Sequence, residues 1–547
     1  MFTLALLFYL ISFILLIFGF LFVFRKQKIW WFLSVLIAQA LLVASIQLFA
    51  SYTLYGQDVY VEYNVITTTL RDGKINFQNA FGVALYDSAL IPVVCIVSGI
   101  KPLIFYKATY TFFFMLHVLM VYLILKRLRE NDIKLQLSLT YAIFLFLPSI
   151  MFSSMRFGIG LISYLALLLL IIRVIAMRRA SYLEFLTIIL MASSITACYY
   201  TLGLNSLALL LLLSFMLIFF RNTNDELKKA FLLSTATALI SSFLYTFYLS
   251  LALRQHILST IYVLLRYSHI AEERVEYVIG RQEFSYYIKT LVKIFPHVAS
   301  LLGIILELFM LALKKIGIRS EVTLAKNNGM ILIWLILGLI LTTATTFIRT
   351  GFAYVISVFS PLFTLGVYNI YSYFTLLPTA KIRKLLTSVL IAVLLVTQFL
   401  GSTYLVDTLL KLDTSSPVLD ETSMYRGISS TEFSDYQMLN YLLINIPRDK
   451  LTDLYSDTKI SNSIISVASD LYSEALPYEP TSININPYAL STFLKNKNIK
   501  GILILSSYNI LTGEAIVPQG TINIHLNDIL GDYNLVYNSF SLILLRE

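Results

Sequence analysis

The stretch YGQDVYVEYNV, residues 55–65, decides how the chain is read. It follows an apolar run that ends near Ala50, and it sets Asp58 and Glu62 among Tyr and Val. A separation of four residues puts both acids on one face of a helix. A carboxylate within hydrocarbon is expensive, so such a pair faces protein, water or a ligand. Two roles are open to it. The acids are solvated at the interface, flanked by the belt residues Tyr60 and Tyr63, or they meet a substrate at the mouth of a membrane span.

The surrounding chain is committed to lipid. Of its 547 residues, 58% are hydrophobic and 13% charged, with a mean hydropathy of +0.79. Soluble domains run about 45–50% apolar and about 25% charged. A run of about 20 apolar residues can cross a hydrocarbon core of about 30 Å, and such runs predict a polytopic α-helical membrane protein with about 12 transmembrane helices. They fall near 2–24, 29–50, 103–125, 134–153, 157–176, 182–200, 204–220, 230–253, 292–313, 330–348, 352–376 and 385–406. The first lacks the features of a cleaved signal peptide and is expected to be retained.

Alternate loops carry Arg25, Lys26 and Lys28; Lys126, Arg127, Arg129 and Lys134; Arg178 and Arg179; Arg221, Lys228 and Lys229; Lys314, Lys315, Arg319 and Lys326; and Lys381, Arg383 and Lys384. Lys/Arg bias in short loops predicts that these are cytoplasmic and that both termini lie outside a multi-pass plasma-membrane protein. The formal charge of +10 is then topology signal, with no nucleic acid as partner. Cys95 and Cys198 cannot build a disulfide framework. His117, His256, His269, His297 and His525 show no metal-ligand spacing.

Three large parts are expected outside: the loops 51–102 and 254–291, and the tail 407–547. The tail holds sixteen Asp/Glu against nine Lys/Arg, a net −7, whereas residues 1–406 carry +17. That change of sign predicts a boundary near 406, between a transmembrane module (1–406) and an extracytoplasmic α/β domain (407–547). Within the tail, 435–446 has helical period and the apolar runs 451–456 and 501–507 suit buried strands. Residues 533–547 read as two strands with a turn at Asn538-Ser539.

The outer loop 66–102 is first too polar to span, then apolar but short and broken by Gly and Pro. It suits amphipathic or re-entrant helices at the outer surface. Lys107 sits one turn into the next span, where it either snorkels to head groups or neutralises a lipid phosphate. Arg156, Arg349, Tyr199 and Tyr200 fall near the same level. Each alone suits an interfacial anchor. Together with the acids they suit a pocket for a phosphate whose lipid tail stays in the bilayer, since the Arg fork matches phosphate oxygens.

The order of these features resembles the GT-C superfamily of integral-membrane glycosyltransferases. More closely it resembles an archaeal branch of predicted membrane proteins of that superfamily. The likeness is carried by DVYVEYN (58–64), FYKATYTFF (106–114), MRFGIG (155–160), CYYT (198–201), DLYSD (453–457) and ILSSYN (504–509). It implies transfer of a sugar from a polyprenyl-phosphate-linked donor to a glycan, lipid or protein acceptor at the outer face, in cell-envelope glycosylation.

On that resemblance Asp58 is the base and Glu62 its catalytic companion, orienting the acceptor or helping to hold a divalent metal ion. Lys107, Arg156 and Arg349 meet the donor phosphate, and Tyr63, Asp87, Tyr199 and Tyr200 line the pocket. Two other classes stay open. A lipid-linked polysaccharide polymerase is compatible with Arg254, Arg266, Arg274 and Arg281 in the second outer loop, although a globular outer tail is unusual for it. A non-catalytic transporter or flippase would call for charges near the bilayer midplane and repeat symmetry.

Overall fold

The computed structural model describes residues 57–75, 85–128, 155–177, 181–219, 225–246, 284–315, 328–350 and 352–374. It also describes single positions within 382–397, and in the tail 433–445, 454–457, 460, 464, 467–468, 490–496, 499–517, 520–524, 529, 533–538 and 541–546. The expected spans 2–24, 29–50 and 134–153, most of 385–406 and most of the loop 254–291 lie outside the described residues.

Helices dominate the first part: α1 (Gln57–Asp72), a π-turn at Tyr86–Leu90, α2 (Ile91–Ser98), α3 (Pro102–Leu128), α4 (Met155–Met177), α5 (Tyr182–Cys198), α6 (Tyr200–Phe219), α7 (Asp225–Leu244), α8 (Phe284–Lys315), α9 (Asn328–Thr350), α10 (Phe352–Val358) and α11 (Ser360–Phe374). Among the described residues, 156–177, 200–218 and 225–244 are long and apolar enough to cross a membrane. Large apolar side chains such as Leu211, Phe215, Leu233 and Ile240 point outward from α6 and α7. That is the surface lipid solvates.

The described residues of the loop 66–102 form helices that glycines end. α1 ends at Gly73, whose positive φ of 63° supplies the left-handed residue that stops a helix. α2 ends the same way at Gly99. The segments 88–98 and 102–109 then meet at 114°, as a broken span or re-entrant pair.

Within lipid, apolar side chains provide little drive for helices to associate, so small residues and short polar contacts hold the bundle. Ser193 and Ser241 Oγ lie 2.6 Å apart between α5 and α7, and Ser214 and Thr235 lie 2.9 Å apart between α6 and α7. Trp334 Nε1 on α9 donates to Leu209 O on α6 at 2.9 Å. Between α8 and α11 the backbones nearly touch. A Cβ on Gly303 would collide with the Gly366 carbonyl, and one on Gly366 with Ser300 O. Ser300 Oγ also donates to Phe363 O across this seam. The expected span 352–376 is interrupted at Phe359, where Pro361 opens α11.

In the tail, α12 (Phe433–Asn445), α13 (Leu490–Lys495) and α14 (Ser507–Thr512) accompany β1 (Leu454–Tyr455), β2 (Gly501–Leu505), β3 (Glu514–Val517), β4 (Gly520–Asn523), β5 (Asn534–Asn538) and β6 (Leu542–Arg546). The sheet order is β1-β2-β6-β5, with β1 and β2 parallel and the other pairs antiparallel; β3 and β4 form a separate hairpin. Both faces of β2 are covered. Ile502 and Ile504 join Met438, Leu439 and Leu442 on one side, while Leu503 and Leu505 join Leu490 and Phe493 on the other. This explains why 501–505 is apolar throughout rather than alternating. Asp435, buried at the start of α12, accepts from Ser507 N at 2.8 Å and Ser541 Oγ at 2.6 Å, tying helix to sheet.

The seam between α8 and α11 gives a stability test. Gly303→Val forces the two backbones apart and should cost about 3 kcal/mol or more, the upper scale of overpacking. Gly329→Ala, where a Cβ meets nothing within 4 Å, should leave the thermal midpoint in detergent unchanged. A wild-type midpoint for Gly303→Val would contradict the close approach.

Candidate active site

α1 lays Val59, Glu62, Tyr63 and Ile66 against the bundle, all at 7% exposure or less, in the stripe expected of one buried helical face. Glu62 is completely buried. Its Oε1 accepts from Arg156 Nε at 2.5 Å, and its Oε2 accepts from the Tyr106 hydroxyl at 2.6 Å. Arg156 is 7% exposed and Tyr106 is 0% exposed. One carboxylate therefore joins α1, the opening of α3 and the opening of α4. Charge-assisted hydrogen bonds of this length are the strong kind.

Local sequence explains the convergence. MRFGIG opens α4 with Arg156, and its two glycines make room for neighbours. A Cβ on Gly158 would sit 3.0 Å from the Phe113 ring of α3, and one on Gly160 would sit 3.1 Å from Tyr199 Cβ. Tyr199 itself occupies an extended break between α5 and α6 (φ −150°, ψ 101°). That break sets its ring 5.9 Å from Arg156 Cζ, in cation–π range. Tyr200 stacks on Tyr199 at 5.8 Å, and Phe157 meets Tyr199 edge-on at 5.5 Å. Tyr63 meets Tyr106 edge-on at 6.4 Å.

The structure thus brings together Glu62, Tyr63, Arg156, Tyr199 and Tyr200. Lys107 follows Tyr106 on α3, about 100° round the helix, and is half-buried. Asp58 lies on α1 one turn before Glu62, Asp87 in the π-turn, and Arg349 near the end of α9. The side chains of Asp58, Asp87 and Arg349 lie outside the described residues. Among the described residues, no three His, Cys, Asp or Glu side chains group to hold a metal ion.

Sequence reasoning passed over Tyr106, Phe157, Tyr354 and Asn205. Tyr354 packs on Phe157 at 5.5 Å, and its hydroxyl accepts from Asn205 Nδ2 at 2.9 Å. Tyr106 stood inside the quoted FYKATY, where a tyrosine beside a basic residue reads as another interfacial anchor.

The fold is similar to those of solved integral-membrane oligosaccharyltransferases. Among the solved structures that match are the archaeal oligosaccharyltransferase AglB from Archaeoglobus fulgidus, in complex with an inhibitory peptide and a dolichol-phosphate, and an oligosaccharyltransferase of the same organism in its apo form. Each has a TM-score of 0.52 and 10% identity, covering 88% of this chain and 70% of the other. ArnT from Cupriavidus metallidurans, bound to undecaprenyl phosphate, has a TM-score of 0.47 and 10% identity over 93% of this chain and 97% of its own. No family model matches the chain. No curated protein matches it by sequence.

The ion pair can be tested apart from any activity. Glu62→Gln leaves a buried guanidinium without its carboxylate and should cost about 3–5 kcal/mol. Glu62→Gln combined with Arg156→Gln removes both charges and should recover a clear part of that loss in thermal unfolding. Strictly additive losses would show that the two side chains do not act as a pair.

Proposed function

We propose that the protein transfers a sugar from a polyprenyl-phosphate donor to an acceptor hydroxyl at the outer membrane face. The observation that carries this is the Glu62–Arg156–Tyr106 lock. It fixes the helix bearing Asp58 against the helix bearing Lys107, in a chain with the GT-C fold. AglB, which shares that fold, holds a dolichol-phosphate in its structure. A donor of this kind keeps its tail in the bilayer while its sugar reaches water, so catalytic groups belong just beyond a span.

Asp58 takes the proton from the acceptor oxygen as that oxygen bonds to the anomeric carbon. The bond from that carbon to the lipid phosphate breaks, and the electron pair leaves with the phosphate. Lys107 meets the charge that grows there. Glu62 has a donor on each oxygen, so its role is to position α1 rather than to take a proton. Arg156 holds Glu62 and is itself held by the Tyr199 face. Tyr63, Tyr199, Tyr200 and Asp87 shape the pocket, and Arg349 adds a cation at the same face.

Purified protein given a panel of labelled polyprenyl-phosphate sugars and membrane acceptors should form product. Asp58→Asn should lower transfer by about 10²-fold or more with little change in donor binding, the usual scale for loss of a general base. Lys107→Ala should weaken both donor binding and turnover, because the phosphate is already charged in the ground state. Near-normal transfer by an abundant Asp58→Asn protein would move the base to Asp87.

A further inference from the structure

The opposite end of the same helices carries a second site. α3 and α4 run parallel: Phe113 packs at Gly158, and further along Leu123, Lys126 and Arg127 share a cavity with Ala166, Leu169, Leu170 and Arg173. The cavity measures about 470 Å³. Its floor is apolar and its rim holds three cations from two helices. Lys126 Nζ lies 5.8 Å from the Tyr122 ring centroid, which keeps it along the α3 side. Arg173 is half exposed and 3.6 Å from Glu184 of α5, so the three basic side chains of the rim face a single carboxylate.

Depth identifies the occupant. Arg156 and Arg173 are about 26 Å apart along α4, at about 1.5 Å per residue. A hydrocarbon core is about 30 Å thick. With Arg156 at the outer boundary, Arg173 and its neighbours stand at the level of the opposite head groups, the side that Lys/Arg bias predicts to be cytoplasmic. A phosphate there has its acyl chains alongside Leu123, Leu169 and Leu170.

We infer that this groove binds the phosphate of an anionic glycerophospholipid from the opposite leaflet. The apolar floor takes the glyceride end while Lys126, Arg127 and Arg173 take the charge. The site is separate from the sugar-transfer reading and does not depend on it.

The test uses delipidated full-length protein in detergent, titrated with phosphatidylglycerol or phosphatidylcholine and read by native mass spectrometry. Phosphatidylglycerol should be retained in preference. Arg127→Gln and Arg173→Gln should each weaken its retention about fivefold, the scale of one basic residue near an anionic surface. Ala166→Phe fills the groove without altering charge and should weaken it at least as much. Equal retention of both lipids would overturn the inference, and so would full retention of phosphatidylglycerol by Ala166→Phe, which would leave only a diffuse basic surface. Displacement by equimolar glycerol 3-phosphate would show a soluble phosphate site and would equally overturn the lipid assignment.

Discussion

The bond between Glu62 and Arg156 is the constraint on which one end of the bundle depends. Two charges taken out of water are stabilising only when each finds the other and the remaining hydrogen-bonding capacity is met. Tyr106 meets part of it on the acid, and Tyr199 offers a π-face to the base. Each of these groups comes from a different helix or helix break. Satisfying one charge therefore fixes four pieces of backbone at once, which apolar packing in lipid would do weakly.

This arrangement divides the labour of the conspicuous residues. Glu62 and Arg156 stand out in the sequence because a charge near lipid invites a chemical role, yet they spend their charge on each other. In the proposed reaction the open chemistry falls to Asp58 and Lys107, on the two helices that the lock joins. A rigid support beneath mobile donors and acceptors is what enforced geometry requires, since small misplacements of a catalytic group are expensive in rate.

Much of the architecture was legible because its signals are local. The apolar runs at 157–176, 182–200 and 204–220 correspond to α4, α5 and α6, and the Gly- and Pro-broken stretch before Lys101 corresponds to the bent α2–α3 corner. The strands at 501–505, 534–538 and 542–546 also fall where short apolar runs and a turn placed them. The site was legible only as a list of residues at one level. Its pairings join positions 44 and 94 residues apart, and no periodicity reports such distances. The β3–β4 hairpin was passed over although its sequence carries Pro518 and Gly520, the punctuation of a turn, and the break at Phe359 was hidden inside one apolar run.

The seam between α8 and α11 also shapes how this protein can vary through descent. Where two side chains touch, a larger residue on one side can be answered by a smaller one on the other. At Gly303 and Gly366 the obstacle is a main-chain carbonyl, which no substitution can shrink. Neither position can trade volume with its partner. Related chains that keep this helix crossing are expected to hold both sites at the smallest residue independently, leaving no trace of correlated exchange between them.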